Sequence, residues 1–200
     1  MKFRTIVKNI INENKQKSIV VAFGRFNPPT IGHKILIDKV IKLASQKGIE
    51  HKIFVSKTHD SKKNPVPYSE KIKFLKKSFP DANISNDKDL IDPFKMLEYL
   101  SDKGYKEIYL VAGSDRVKIY DEQIKPYINA PGKSINLTFT TFETISAGER
   151  DPDSDTATGV SASKAREMVK NNNLNQFSQV VSLSKKDTTE LFNLIKRNLK

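Results

Sequence analysis

Gly24-Arg25-Phe26-Asn27-Pro28-Pro29-Thr30-Ile31-Gly32-His33 joins two segments of opposite character. Before it runs Ile19-Val20-Val21-Ala22-Phe23, small and β-branched, which reads as a buried strand. After it, residues 34–44 carry apolar side chains at helical spacing, and Gly48 suits a helix C-cap. The stretch is therefore a strand-to-helix turn. Backbone N–H groups of such a turn point at whatever sits above the helix N-terminus, and phosphate is the usual guest. Gly24 lets the chain turn and lets a ligand approach the backbone closely. Pro28 and Pro29 stiffen the loop. Thr30 and His33 lie three apart at the helix start, so both side chains can reach one point.

Outward from this turn, strands and helices alternate. Residues 51–56 read as a second strand, followed by a polar, proline-bearing loop over 57–67 and a helix over 69–78. On that helix Lys71 and Lys73 read as a solvated face. A short third strand is expected over 82–85, then a helix capped by Asp92 with Pro93 in its first turn. Residues 106–112 form a strong fourth strand that runs into Gly113-Ser114-Asp115-Arg116, with a helix over 117–127 behind it. Thr and apolar residues alternate over 135–142, the expected fifth strand. A long polar loop over 146–159 precedes a helix opening at Val160-Ser161-Ala162-Ser163-Lys164-Ala165-Arg166. Asn171 to Asn173 break it, and a last helix opens with Asp187 as its cap.

This alternation predicts an α/β fold: a doubly wound parallel sheet of five strands, order 3-2-1-4-5, with helices on both faces and a C-terminal helical segment. Residues 19–200 read as a single domain and residues 1–18 as an N-terminal amphipathic helical arm. In such sheets the ligand lies beyond the strand C-termini, at the switch point of strand order. Strands one and four meet there, which brings the turns at 24–33 and 113–116 to one site.

Composition narrows the chemistry. The 200 residues include no Cys and no Trp, so disulfides and thiolate metal sites are excluded. His33, His51 and His59 are the only histidines, too few for a His-rich metal centre. No apolar run has transmembrane length and no signal-peptide pattern opens the chain, so the expectation is a cytoplasmic protein without a membrane partner. The net charge of +12 comes from Lys spread along the chain, without a dense stripe, which argues against a specific nucleic-acid partner. Arg is scarce by contrast: Arg4, Arg25, Arg116, Arg150, Arg166 and Arg197. Arg25, Arg116, Arg150 and Arg166 fall in the two turns, the long polar loop and the helix start after it, where planar, bidentate phosphate recognition would call for them.

The turn, read as Thr30-Ile31-Gly32-His33 with Thr in place of the first His, resembles the signature of the HxGH nucleotidyltransferase superfamily, also called cytidylyltransferase-like. Residues 160–166 resemble its second hallmark, a helix N-terminus of the type Ile-Ser-Ser-Thr-x-x-Arg, with Ser163 for Thr and Ala162 for one Ser. With Gly-Ser-Asp-Arg at 113–116 and Ala-Gly-Glu-Arg-Asp-Pro-Asp at 147–153, the chain is similar to cytidylyltransferase-like proteins of T4-like marine phages, which would place it in a host cytoplasm. The resemblance covers nearly everything after Ser18 and implies a Rossmann-like fold.

It also implies a reaction: an acceptor phosphate or hydroxyl attacks the α-phosphorus of a nucleoside triphosphate and pyrophosphate leaves, with Mg²⁺ held mainly by the phosphates. The candidate catalytic residues it implies are His33, Thr30, Arg166 and Lys164. The candidate nucleotide-binding residues are Gly24, Arg25, Phe26, Asn27 and Gly32 of the first turn, Gly113, Ser114, Asp115 and Arg116 of the second, and Ser161 and Ser163. Lys57 and Arg150 are candidates on the loops that would build the site of a small-molecule acceptor. CTP is slightly favoured over ATP, because Asp115 or Arg116 could fill the space a pyrimidine leaves. Nicotinamide mononucleotide and phosphopantetheine are the acceptors to consider if ATP is the donor. A non-catalytic nucleotide- or nucleic-acid-binding module on the same scaffold is the other class of reading.

Overall fold

The computed structural model describes residues 16–87, 90–135, 137–148 and 160–200. The expected arm over 1–18 therefore lies almost wholly outside the described residues. The elements are β1 Lys17–Gly24, α1 Lys34–Lys47, β2 Glu50–Val55, α2 Tyr68–Ser78, α3 Pro93–Asp102, β3 Tyr105–Ala112, α4 Ser114–Ile124, β4 Thr141–Ser146, α5 Ala162–Lys170, α6 Leu174–Gln179 and α7 Lys185–Asn198. One 3₁₀ turn, Ile31–His33, leads into α1, and another, Lys125–Tyr127, follows α4. No helix among the described residues is long and apolar enough to cross a membrane.

The sheet is parallel throughout, but it has four strands, in the order β2-β1-β3-β4, rather than five. The stretch expected as the third strand lies beside β2, where order 3-2-1-4-5 puts it, yet it makes only one bridge, Ile53 to Ile84. Two backbone–backbone hydrogen bonds hold it, Ile53 N to Asn83 O at 2.8 Å and Ser85 N to Ile53 O at 2.9 Å. Its neighbours Asp81, Asn83, Asn86 and Asp87 are polar turn formers, so no ladder grows from the one buried Ile84.

The last strand is also displaced. It runs Thr141–Ser146, not 135–142. The alternation that suggests the earlier span comes from Leu137 and Phe139, both buried in the core. Their backbone is taken by other partners. The Asn129 amide donates to Phe139 O at 2.6 Å and accepts from Phe139 N at 3.2 Å. A side chain has replaced a neighbouring strand there.

Alternate residues of β1 feed two cores. Val20 and Ala22 pack with Ile53, Val55 and Val111 under Ile37, Val40 and Ala44 of α1 and Leu75 of α2. Ile19 and Val21 pack with Ile108 and Leu110 under Met96, Leu97 and Leu100 of α3 and Ile124 of α4. Helices thus cover both faces, as a sheet buried on both sides requires. A third cluster, with Phe74, Phe177, Leu191, Phe192 and Ile195, joins α2 to the three C-terminal helices.

Helix ends follow local chemistry. Gly48 closes α1 at φ 62°, and Asp92 accepts from Lys95 N at 2.9 Å with Pro93 in the first turn of α3. α7 starts earlier than expected. Ser184, not Asp187, is its cap, and Asp187 sits in its first turn, where it pairs with Lys77 of α2. The helix behind 113–116 also starts early, so Asp115 and Arg116 ride on its first turn.

Candidate active site

The turn after β1 is built around Phe26. Its backbone is left-handed, φ 45°, and its side chain is 1% exposed. A Cβ on Gly24 would lie 2.6 Å from the Phe26 ring, so the residue that needs the glycine is the chain's own phenylalanine rather than a ligand. The same ring sits 4.9 Å from the His33 ring. Phe26 lines the cavity but acts as the floor under the histidine. Asn27 is also turned inward. Its amide donates to Val66 O at 3.0 Å and accepts from Val66 N at 2.9 Å, clamping the turn to the loop after β2. Its side chain is thereby committed to protein.

Thr30 sets the orientation of His33. The histidine Nδ1 lies 3.0 Å from the Thr30 backbone N–H and 2.9 Å from the Thr30 hydroxyl. An amide can only donate, so Nδ1 is the acceptor and the neutral ring carries its proton on Nε2. Thr30 is 1% exposed, does not line the cavity, and its hydroxyl reaches Val160 O at 3.2 Å. The two side chains do not converge on an outside point. Thr30 instead orients the histidine and ties it to the segment that opens α5.

At that segment Ser161 caps α5, its hydroxyl accepting from Lys164 N at 3.1 Å. Arg166, one turn on, donates Nη1 to Asn27 O at 2.7 Å and Nη2 to Ser163 Oγ at 3.0 Å. Burial, and then the neighbouring Arg25, hold the Arg166 guanidinium below its ordinary pKa, although Asp60 acts the other way. Two like charges brought together at a helix N-terminus make a place where an anion relieves repulsion.

Thr30 apart, the turn after β1 and the start of α5 border one cavity of about 740 Å³, within the range of roughly 300–1,000 Å³ usual for small-molecule sites. Gly24, Arg25, Phe26, Asn27, Gly32, His33, Gly113, Asp115, Arg116, Ser161, Ser163 and Arg166 line it, so both sequence-predicted turns and the helix N-terminus meet there. Lys164, Ser114 and Lys57 do not line it. The side chain of Lys164 lies off the lining and only its backbone serves the cap. Ser114 and Lys57 are exposed. Arg150 lies outside the described residues.

Other lining residues were not singled out in the sequence. Ser56 and Thr58 stand at the end of β2, where strand C-termini in this kind of sheet meet ligands. Lys63 and Asn64 follow on a loop that Asp60 organises by accepting from Lys62 N, Lys63 N and Asn64 N. Ile91, Pro93, Phe94 and Ile119 give the cavity an apolar side.

Lys71 is the larger surprise. It is fully buried on α2, and its ammonium donates to Ser56 O and, at 3.0 Å, to Thr58 O. Lys73, two residues on, is the surface residue expected, paired with Glu190 and Glu70. Burial pushes the Lys71 ammonium down from 10.5 to about 8. The folded chain then releases a proton that the unfolded chain keeps, so this group makes stability rise with pH between about 8 and 10.5. Denaturant unfolding at pH 7.5 and pH 10.5 should show the parent gaining about 1–3 kcal/mol relative to Lys71→Met. An unchanged difference would mean the ammonium is not desolvated in the folded chain.

A parallel sheet with a phosphate-type turn at β1, a capped helix N-terminus and three arginines around one cavity defines a nucleotide-binding α/β protein. Residues 21–168 match the model of the family described as cytidylyltransferase-like. The chain belongs to that family, within the HxGH nucleotidyltransferase superfamily, and the family supports nucleotidyl transfer as its enzymatic class. Among solved structures it is similar to the Plasmodium falciparum nicotinic acid mononucleotide adenylyltransferase complexed with NaAD, at 15% identity and TM-score 0.59, over 92% of this chain and 100% of that one. The same enzyme complexed with APC matches at 15% identity and TM-score 0.58, with the same coverage. At that identity the likeness is one of fold. No curated protein matches the sequence.

Proposed function

We propose that this chain transfers a nucleoside monophosphate from a triphosphate to a small, phosphate-bearing acceptor and releases pyrophosphate. One observation carries the reading: a histidine whose tautomer is fixed by a backbone amide shares a cavity with a capped helix N-terminus and three arginines, Arg25, Arg116 and Arg166. In this reading an acceptor oxygen attacks the α-phosphorus, and the bond from that phosphorus to the bridging oxygen breaks. Nε2–H of His33 donates to the α-phosphate as charge gathers there. Ser161, Ser163 and the first amides of α5 hold the β- and γ-phosphates, while Arg166 and Arg25 balance the leaving pyrophosphate. No covalent intermediate is needed, so the protein's work is placement and charge. Among the described residues no three His, Asp or Glu side chains are grouped to hold a metal. Mg²⁺, whose chemistry is to neutralise phosphate charge, would therefore arrive on the nucleotide's own oxygens.

The donor in this proposal is ATP. The slight preference for CTP rests on Asp115 or Arg116 filling the space beside a pyrimidine. Their side chains line the cavity but are 70% and 51% exposed and pair with each other at 3.3 Å. The adenylyltransferases of like fold are consistent with ATP as the donor. Titration calorimetry with ATP and CTP under the same Mg²⁺ is expected to show ATP binding at least tenfold tighter, about 1.4 kcal/mol. Tighter CTP would overturn the adenylyl reading and restore cytidylyl transfer. Binding of neither would point to the non-catalytic module.

A further inference from the structure

We propose that Lys71 is a positioning residue for the acceptor: its buried ammonium fixes the Ser56–Thr58 turn that walls the cavity at the end of β2. The inference rests on the transfer reading above and adds a residue which that chemistry does not touch.

A fully buried lysine is costly to keep, and it is normally paired with a carboxylate. Lys71 is bound instead to two main-chain carbonyls, Ser56 O and Thr58 O. Those carbonyls belong to a tight turn in which Thr58 N donates to Ser56 Oγ at 3.2 Å and the two hydroxyls lie 2.6 Å apart. Ser56 N in turn donates to Gly24 O at 2.8 Å, so the turn is registered against the end of β1. Ser56 and Thr58 both line the cavity. An apolar residue on α2 would pack the core as well, but it would leave the buried Ser56 carbonyl and the half-buried Thr58 carbonyl without this donor. What the ammonium supplies beyond packing is the set of the turn.

The turn's place decides which substrate feels it. An in-line displacement puts the attacking oxygen opposite the leaving pyrophosphate. The pyrophosphate is assigned to Ser161, Ser163 and Arg166, and the hydrogen bonds of Ser56 and Thr58 go to each other, to Lys71 and to Gly24, not to those residues. A displaced turn should therefore weaken the acceptor and spare the triphosphate.

The test uses the full chain with nicotinic acid mononucleotide as acceptor probe and ATP as donor, comparing the parent with Lys71→Met and Lys71→Arg. Lys71→Met is expected to raise the acceptor KM tenfold or more. The ATP KM and kcat should stay within about threefold, and hydrogen exchange of the amides at 56–58 should quicken. Lys71→Arg, which can still donate to both carbonyls, should restore the acceptor KM to within about threefold of the parent. Parent-like KM and parent-like exchange in Lys71→Met would overturn the assignment, as would an equal rise in both KM values. If the parent does not adenylate this probe, that acceptor fails. Exchange at 56–58 and the ATP dissociation constant then decide alone: faster exchange with unchanged ATP binding supports the role, and unchanged exchange ends it. Should Lys71→Met and Lys71→Arg both fail to fold, Lys71 is a core residue and the proposal falls.

Discussion

His33→Ala is expected to lower kcat by about 10²–10⁴-fold while the triphosphate dissociation constant moves only a few-fold. The asymmetry follows from geometry. Nδ1 is bound to the Thr30 amide, so Nε2 is the nitrogen with a proton to give. Its assigned partner is an oxygen whose charge grows on the way to the transition state, and an interaction that strengthens there is lost from kcat. In the proposed mechanism ground-state binding rests instead on α5, Arg25 and Arg166, which the substitution leaves in place. The ring also sits against Phe26 and closes the cap at Thr30, so a modest loss of stability of about 1 kcal/mol should accompany the change. Steady-state kinetics beside calorimetry separates the two effects. Equal losses in binding and turnover would make His33 a ground-state contact and remove its special role.

Arg166→Lys is expected to weaken triphosphate binding by tenfold or more although the charge is kept. In the structure the guanidinium spans two elements, Asn27 O on the first turn and Ser163 Oγ on α5. A lysine can keep one of those contacts but cannot hold a planar fork between them. The change should therefore cost both a brace and a phosphate contact. It should also persist at high salt, because partly buried, hydrogen-bonded charges are screened little. Calorimetry with ATP at two ionic strengths checks this. A parent-like constant for the Lys variant would mark Arg166 as a bystander to the nucleotide.

The parts of this molecule that are legible in the sequence are those where backbone and side-chain pattern agree. The turn at 24–33 can be placed because a β-branched run precedes it and a 3.6-period pattern follows. The α5 N-terminus is visible in its Ser residues and its Arg one turn on. Side-chain direction is harder to see. Thr30, Phe26 and Asn27 sit in the motif, yet each is turned inward to fix another part of the loop, and nothing in their order distinguishes that from contact with a ligand. Lys71 does leave a signal. Lys71, Phe74, Leu75 and Ser78 are all buried and fall at i, i+3, i+4 and i+7, so the lysine lies on the apolar stripe of α2. Its charge outweighs its position in a sequence reading. The alternation near Phe139 misleads for the opposite reason: core burial has period two wherever a chain is extended, with or without a partner strand.

The central place of β1 sets a timetable for the nascent chain. The β2 partner of β1 follows it closely in the chain, but the partner of its other edge, β3, comes roughly ninety residues later. At about 5–20 residues per second, that edge goes unpaired on the ribosome for roughly 5–18 seconds. Throughout that interval Ile19, Val20, Val21 and Ala22 present an apolar strand with open hydrogen-bonding groups, the kind of surface that recruits a second chain. Yield during synthesis should thus depend on how quickly residues 105–112 arrive, and slow translation between β2 and β3 should cost soluble protein more than the same delay after β4.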